Sequence, residues 1–279
     1  MSPSREEIVV RSPAKINWLL RVPGRREDGF HEIETLFQTI SLEDLITCTP
    51  SDEFRLSCSD PTIPVDGSNL VARAVSLLQE TGAEIPPFAI HIEKSIPSGG
   101  GLGGGSSNAA SILWEFRERY ALNLDQERLR TIAVRLGSDV PFFLQGGTAY
   151  ATGRGERLTP LPSITGIRLL VVLPEEKVST AEAYALLGRG PVGEDPYLGL
   201  ERASRLIEGG PFGEPDDLVN DFEEVIFESL PKLGRIRDRL LDEGAVVYKA
   251  LWFILPAPGR RPLRLRCGQL QGSAGWRCP

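Results

Sequence analysis

Ile96-Pro97-Ser98-Gly99-Gly100-Gly101-Leu102-Gly103-Gly104-Gly105-Ser106-Ser107-Asn108-Ala109-Ala110 places six glycines in seven positions and runs directly into a helix-like pattern. Glycine admits positive φ and lets backbone N–H groups approach a ligand closely. Ser106, Ser107 and Asn108 are residue types that cap a following helix, whose free N–H groups and positive dipole end then face an anion. A flexible linker is the plain alternative, but the stretch lies between an apolar strand pattern at Phe88–Glu93 and an amphipathic helix pattern. The reading is a phosphate cradle. No G-x-x-x-x-G-K-[ST] is present, and no acidic residue follows at the spacing of a dinucleotide fold, so the commoner phosphate loops are excluded.

The remaining composition bounds what surrounds the cradle. The chain has 279 residues, 41% of them hydrophobic and 25% charged, with a net charge of −7. That is enough for one large or two moderate domains. Its acidity argues against nucleic acid or a membrane surface as partner, because both require basic patches. The N-terminal residues Met1 to Glu7 lack a signal-peptide core and no stretch reaches a membrane span, so a cytoplasmic protein is expected. Cys48, Cys58, Cys267 and Cys278 have neither metal-ligand spacing nor disulfide-framework density. With His31 and His91 the only histidines, no His-based metal site is expected.

Ile8 to Val22 reads as two strands broken at Ser12-Pro13, since proline cannot donate to a central ladder. Lys15 and Asn17 share one face by the two-residue period, while Ile16 and Trp18 supply the buried one. A strand lysine is usually solvated, so its placement beside Asn17 is open between solvent and function. Phe30 and His31 follow a turn-rich loop and suit either a core edge or a flat ligand. Strands are expected over 34–42, 44–50, 53–59 and 88–93, and helices over 69–81, 107–120 and 124–136. Asp139 sits between the helix stop Gly137 and the apolar run Val140-Pro141-Phe142-Phe143-Leu144, where an unpaired carboxylate is costly. Either it caps a short helix beginning at Val140-Pro141 or it has a charged partner. After a hairpin at 146–156 and a strand at 168–173, helices are expected at 180–187, to about 207, from about 216 and at 233–243. Strands and helices without a βαβ repeat indicate an α+β fold, divided near residue 163 into parts spanning 1–163 and 164–279.

Five elements in this order resemble the GHMP kinase superfamily: Pro13-Ala14-Lys15-Ile16-Asn17, Asp28-Gly29-Phe30-His31, Pro97 through Ala110, Gly137-Ser138-Asp139-Val140-Pro141-Phe142, and Asn220-Asp221-Phe222-Glu223. The glycine loop is specific to the superfamily. The Asp-Gly-aromatic-His and Ser-Asp-Val-Pro elements resemble its branch acting on a cytidine diphosphate-linked polyol. The resemblance implies a first domain like the second domain of ribosomal protein S5 and a ferredoxin-like second domain. It implies ATP with Mg²⁺ as cofactors, a small-molecule substrate phosphorylated on its 2-hydroxyl, and a monomer or homodimer. Pro97, Ser98, Gly99, Gly100, Gly101, Leu102, Gly103, Gly104, Gly105, Ser106 and Ser107 would hold the ATP phosphates. Asp139 resembles the general base, and Lys15 the partner that keeps it ionised. Asn17 would orient the substrate; Phe30 and Tyr184 would sandwich the cytosine and His31 would bond its edge. The alternatives are another superfamily kinase, such as one for homoserine or mevalonate, and a nucleotide-binding copy impaired in transfer.

Impairment enters because the superfamily's third glycine motif, due just after Gly244-Ala245-Val246-Val247, is missing. From Gly244 onward there is no acidic residue, six basic ones, two of the four tryptophans and two of the four cysteines. This break predicts a shifted reading frame just before Tyr248. Read one nucleotide later, the codons of Tyr248 to Ile254 can specify Thr-Arg-Leu-Ser-Gly-Ser-Ser, which resembles the absent motif. The other reading of 248–279 is a genuine but atypical tail.

Overall fold

The computed structural model describes residues 6–120, 122–172, 178–193, 197–208, 219–242 and 266–269. The expected third motif after residue 247 lies outside them. Two long strands, β1 (Ile8–Arg25) and β2 (His31–Pro50), form an antiparallel hairpin that four further strands extend into one sheet. These are β3 (Arg55–Cys58), β4 (Phe88–Glu93), β5 (Thr148–Thr152) and β6 (Arg157–Leu161). β4 pairs with the second half of β2 and β5 with its first half; β3 runs parallel to β4, and β6 antiparallel to β5. The helices α1 (Leu70–Gln79), α2 (Gly104–Arg119), α3 (Gln126–Leu136) and α4 (Val140–Gln145) follow in the same half. Beyond them come β7 (Arg168–Val171), α5 (Thr180–Leu187), α6 (Leu200–Glu208), α7 (Phe222–Ser229), α8 (Pro231–Asp242) and β8 (Arg266–Gln269). β8, from the atypical tail, pairs antiparallel with β7.

Pro13 does not divide β1. The strand runs through it because the irregularity is absorbed by a register shift between Pro13 and Ala14, the device that accommodates a strand proline. The shift also reverses which residues face which layer. Ile8 and Val10 pack with α1–α4, whereas Ala14, Ile16 and Trp18 pack into a second cluster with Ile164 and Val171 from the later half. Had the alternation continued, Ile16 would face the helices; the shift, which skips Ser41 and Leu42 of β2 in the pairing, accompanies the turn of Lys15 and Asn17 toward them. Likewise 34–42 and 44–50 are one strand, since Glu43 and Asp44 continue the ladder opposite Pro13 and Ser12.

The second half is fastened to this hairpin by buried polar groups. Glu34, fully buried, accepts from Tyr150 Oη at 2.8 Å, Arg21 at 2.9 Å, and the amides of Leu198 and Gly199 at 2.9 and 3.0 Å. The Asn220-Asp221 segment lies along β1: Leu20 donates to Val219, Asp221 donates back to Leu20, and the Asp221 carboxylate accepts from the Val22 amide at 2.8 Å. A third apolar cluster of Leu20, Val22, Ile33, Phe222 and Ile226 fills the space beneath.

One buried carboxylate sets where the glycine loop leaves the sheet. Asp44 accepts from the Lys94 ammonium, from the Ser95 and Ile96 amides at 2.8 Å each, and from Asn108 Nδ2 at 3.0 Å. Replacing Asp44 by Ala strands these donors and a buried ammonium, a change that costs about 3–5 kcal/mol when a buried charge loses its partner. Urea denaturation of Asp44→Ala against the parent chain is expected to show a loss of that size; a loss below about 1 kcal/mol, the level of an exposed ion pair, would contradict the role.

Candidate active site

The glycine loop closes over β1. Gly99, Gly101 and Gly103 take φ of 76°, 66° and 72°, and the Leu102 carbonyl accepts from the Lys15 amide at 2.9 Å. α2 begins at Gly104 with Gly103 as its N-cap, three residues earlier than the apolar periodicity suggested. Ser106, Ser107 and Asn108 are therefore inside the helix and not its caps. Ser107 turns away from the loop and accepts from Ser12 Oγ at 2.8 Å, and Asn108 donates to the same Ser12 oxygen at 2.9 Å. The opening turn has no side-chain capping bond, and its residues Gly104 to Ser106 line a cleft.

That cleft has a volume of about 520 Å³, and is lined by the loop from Pro97 to Ser106, by Lys15, Asn17 and Asp139, and by Arg154, Thr180 and Tyr184. Lys15 is buried, its ammonium 5.0 Å from the centroid of the Phe37 ring. The ammonium donates to Asn17 Oδ1 at 2.8 Å and stands 3.6 Å from Asp139 Oδ2. Asn17 is aimed in turn: its Nδ2 donates to Thr35 Oγ1 at 2.6 Å, and Thr35 donates to the Leu19 carbonyl at 2.6 Å. Asp139 occupies the N-cap position of α4, yet its side chain makes no capping bond there. Its carboxylate, 32% exposed, opens onto the cleft. Of the two roles left open by the sequence, the structure shows the charged partner: Lys15 answers the Asp139 charge, and no capping bond is made.

Tyr184 reaches the same cleft from α5. Burial first, and the Asp139 charge second, push its phenol up to about 12, so it stays protonated at neutral pH. His31 stacks on it with centroids 4.4 Å apart and planes inclined by 17°. Phe30 is apart from both, 54% exposed and capped on its ring by the Arg154 guanidinium at 4.6 Å. The structure brings together Lys15, Asn17, Asp139, Tyr184 and the loop through Ser106. His31 joins them through Tyr184; Phe30 and Ser107 do not line the cleft. Sequence reasoning missed Asp44, Lys94 and Arg154, and gave Asn108 a capping role in place of its bonds to Ser12 and Asp44. Only Arg154 carried a signal, the Gly153-Arg154-Gly155 turn that presents one long cation between two glycines.

The GHMP kinases N terminal domain matches residues 69–147, the span holding α1, the glycine loop and α4. A 4-diphosphocytidyl-2-C-methyl-D-erythritol kinase of Chlorobium luteolum is 39% identical over 240 residues, covering 86% of this chain and 83% of its own length. The chain belongs to this kinase family. The chloroplastic kinase of that name from Arabidopsis thaliana is 40% identical over 248 residues, 86% of this chain and 63% of its own. A solved 4-(cytidine 5'-diphospho)-2C-methyl-D-erythritol kinase superposes with a TM-score of 0.69 at 36% identity, covering 86% of this chain and 84% of the other. The α+β GHMP kinase fold expected from the sequence is the fold observed.

Two outcomes follow from the geometry of this family member. A Cβ on Gly103 would stand 2.6 Å from Phe143 Cζ and 3.1 Å from Lys15 Cγ, at a φ that non-glycine residues rarely adopt. Gly103→Ala is expected to lower stability by about 1–3 kcal/mol, the cost of a non-glycine residue held in the left-handed region; urea midpoints measure it. His31 has its pKa lowered, by burial first and by the Arg25 charge second. The unfolded chain therefore binds the proton more tightly, so stability held above about pH 6.5, the ordinary histidine value, falls as pH drops through the lowered folded value. His31→Gln is expected to flatten that part of the stability profile between about pH 7 and 5; an unchanged slope in thermal or urea midpoints would show that another group is responsible.

Proposed function

We propose that this chain transfers the γ-phosphoryl group of ATP to the 2-hydroxyl of 4-diphosphocytidyl-2-C-methyl-D-erythritol, giving the 2-phosphate and ADP on the non-mevalonate route to isoprenoid precursors. The observation that carries the reading is the Lys15–Asp139 pair at 3.6 Å, opening on the same cleft as the glycine loop. The loop suits a polyphosphate. Six glycines of the loop and of the first turn of α2 line the cleft, where backbone N–H groups without side chains can approach a ligand. Pro97 to Ser106 would hold the ATP phosphates, with Ser107 supporting the helix start through Ser12. Mg²⁺, carried by the phosphates, supplies charge neutralisation when bound.

In this reading Asp139 accepts the proton of the attacking hydroxyl. Lys15 fixes the carboxylate's orientation and balances charge as the phosphoryl group moves, while Asn17 positions Lys15. Tyr184 and Phe30 offer faces to the cytosine, and His31 offers ring nitrogens to its edge; seating the base requires the observed His31–Tyr184 stack to open. The proposal keeps the division into 1–163 and 164–279, and a cytoplasmic site of action. A second reading, a copy that binds ATP without transfer, is favoured by the change of composition after Gly244.

Single-turnover transfer from labelled ATP to the diphosphocytidyl methylerythritol tests both. Asp139→Asn is expected to slow transfer by roughly 10²–10⁴-fold, the contribution of a positioned general base, with ATP binding retained. ATP binding without transfer by the intact chain would establish the second reading. Transfer to homoserine or mevalonate as fast as to the cytidine substrate would overturn the substrate assignment.

A further inference from the structure

Three cations line the cleft among the described residues: Lys15, Lys94 and Arg154. Lys15 is held by Asn17 and Asp139. Lys94 is bonded to the buried Asp44 and lies against Gly104, at the opening turn of α2. Arg154 has no ion pair within the described residues, and its guanidinium rests on the exposed ring of Phe30.

The turn carrying Arg154 is built firmly. Gly153 and Gly155 take φ of 76° and 109°, and the Gly153 amide donates to the buried Glu32 carboxylate at 2.6 Å. Gly153 also accepts from the Ile33 amide at 2.7 Å, which pins the turn beside His31. Glu156, the acidic neighbour that would otherwise neutralise the guanidinium, folds back to accept from the Arg154 amide at 2.7 Å. Asp28, the other carboxylate in its electrostatic neighbourhood, is engaged by Arg26 at 3.2 Å and by the Phe30 amide at 3.1 Å. The Arg154 guanidinium carbon stands 4.6 Å from the Phe30 ring centroid, and a guanidinium over an aromatic face keeps a planar fork of N–H donors, the group that suits a phosphate oxygen pair. Stacking also orders a long side chain before any ligand arrives, so less freedom is lost on binding.

We propose that Arg154, held on Phe30, binds the diphosphate of the cytidine-linked substrate and makes this cleft select a nucleoside diphosphate over the bare nucleoside. The inference rests on the substrate reading above and deepens it. Two polyphosphates must be met in one cleft of an acidic chain. The glycine loop, the helix start and Lys94 face one of them; Arg154, beside Phe30 and the His31–Tyr184 stack, faces the other.

Calorimetric titration of CDP, cytidine and ATP into the intact chain, Arg154→Gln and Arg154→Lys tests this. Arg154→Gln is expected to weaken CDP by about tenfold or more, as loss of a charge-assisted bidentate contact does, while cytidine and ATP stay within about twofold. Arg154→Lys, which keeps the charge without the fork, is expected to recover part of the loss for CDP. In turnover the loss should appear in KM for the cytidine substrate with kcat retained. Equal weakening of CDP and cytidine would mean that Arg154 only supports Phe30, and weakened ATP would mean that it serves the other phosphate; either overturns the inference, as does unchanged CDP binding. Failure of the intact chain to bind CDP and cytidine at all would overturn the substrate reading itself, and this inference with it.

Discussion

The Asp44 carboxylate is the constraint on which the glycine-loop side of the molecule depends. It is buried in the middle of β2 and collects donors from three places: the ammonium of Lys94 at the end of β4, the two amides that open the glycine loop, and Asn108 in the first turns of α2. A run of glycines has the highest conformational entropy of any backbone. Fastening both its ends to one carboxylate confines that freedom to the residues between them, which line the cleft. Ser12 extends the same network to β1 through Ser107 and Asn108, so the hairpin, the loop and the helix are registered against one another by side chains that water does not reach.

The second constraint is a matter of phase. From Ala14 to Leu20, β1 is buried on both faces, by the helical layer on one and by the later half of the chain on the other. A strand so enclosed has no solvent face on which to place a lysine, and the register shift at Pro13/Ala14 decides which layer receives it. It sends Lys15 and Asn17 to the helical side, where Asp139 begins α4. The resulting pair is more than an ion pair in a core. Lys15 is enclosed, Asp139 is open to the cleft, and Asn17 is locked by Thr35, so the charge at the cleft wall is held in one geometry before any ligand is present.

The later half contributes less chemistry and more enclosure. Glu34 accepts the Leu198 and Gly199 amides, Asp221 accepts the Val22 amide, and Phe222 packs beneath Tyr184 with ring planes at 87°. These contacts hold α5 where Tyr184 reaches the cleft. The Asn220-Asp221-Phe222-Glu223 element, recognisable only as a resemblance in the sequence, is thus a fastening of the second half onto β1. The phenol of Tyr184, raised by burial and by Asp139, records how near that side of the cleft comes to the charged pair.

The sequence by itself determined the glycine loop, the α+β class and most of the helices, because glycine runs, apolar periodicity and caps are local properties. β4 and α5 lie at the residues their patterns marked, Phe88–Glu93 and Thr180–Leu187. It also brought Lys15, Asn17 and Asp139 forward as polar residues in apolar settings. Only the tertiary structure decided that Pro13 sits within one strand, that α2 starts at Gly104, and that Ser107 serves the helix and not the cleft. Asp44 and Lys94 were invisible for the same reason. Each looks like an ordinary charged residue at a strand end, and the bond between them spans fifty positions of chain. Local pattern reports what a residue prefers; which buried charge answers which other charge is settled by packing, since the cost of leaving either unpaired arises only when both are removed from water.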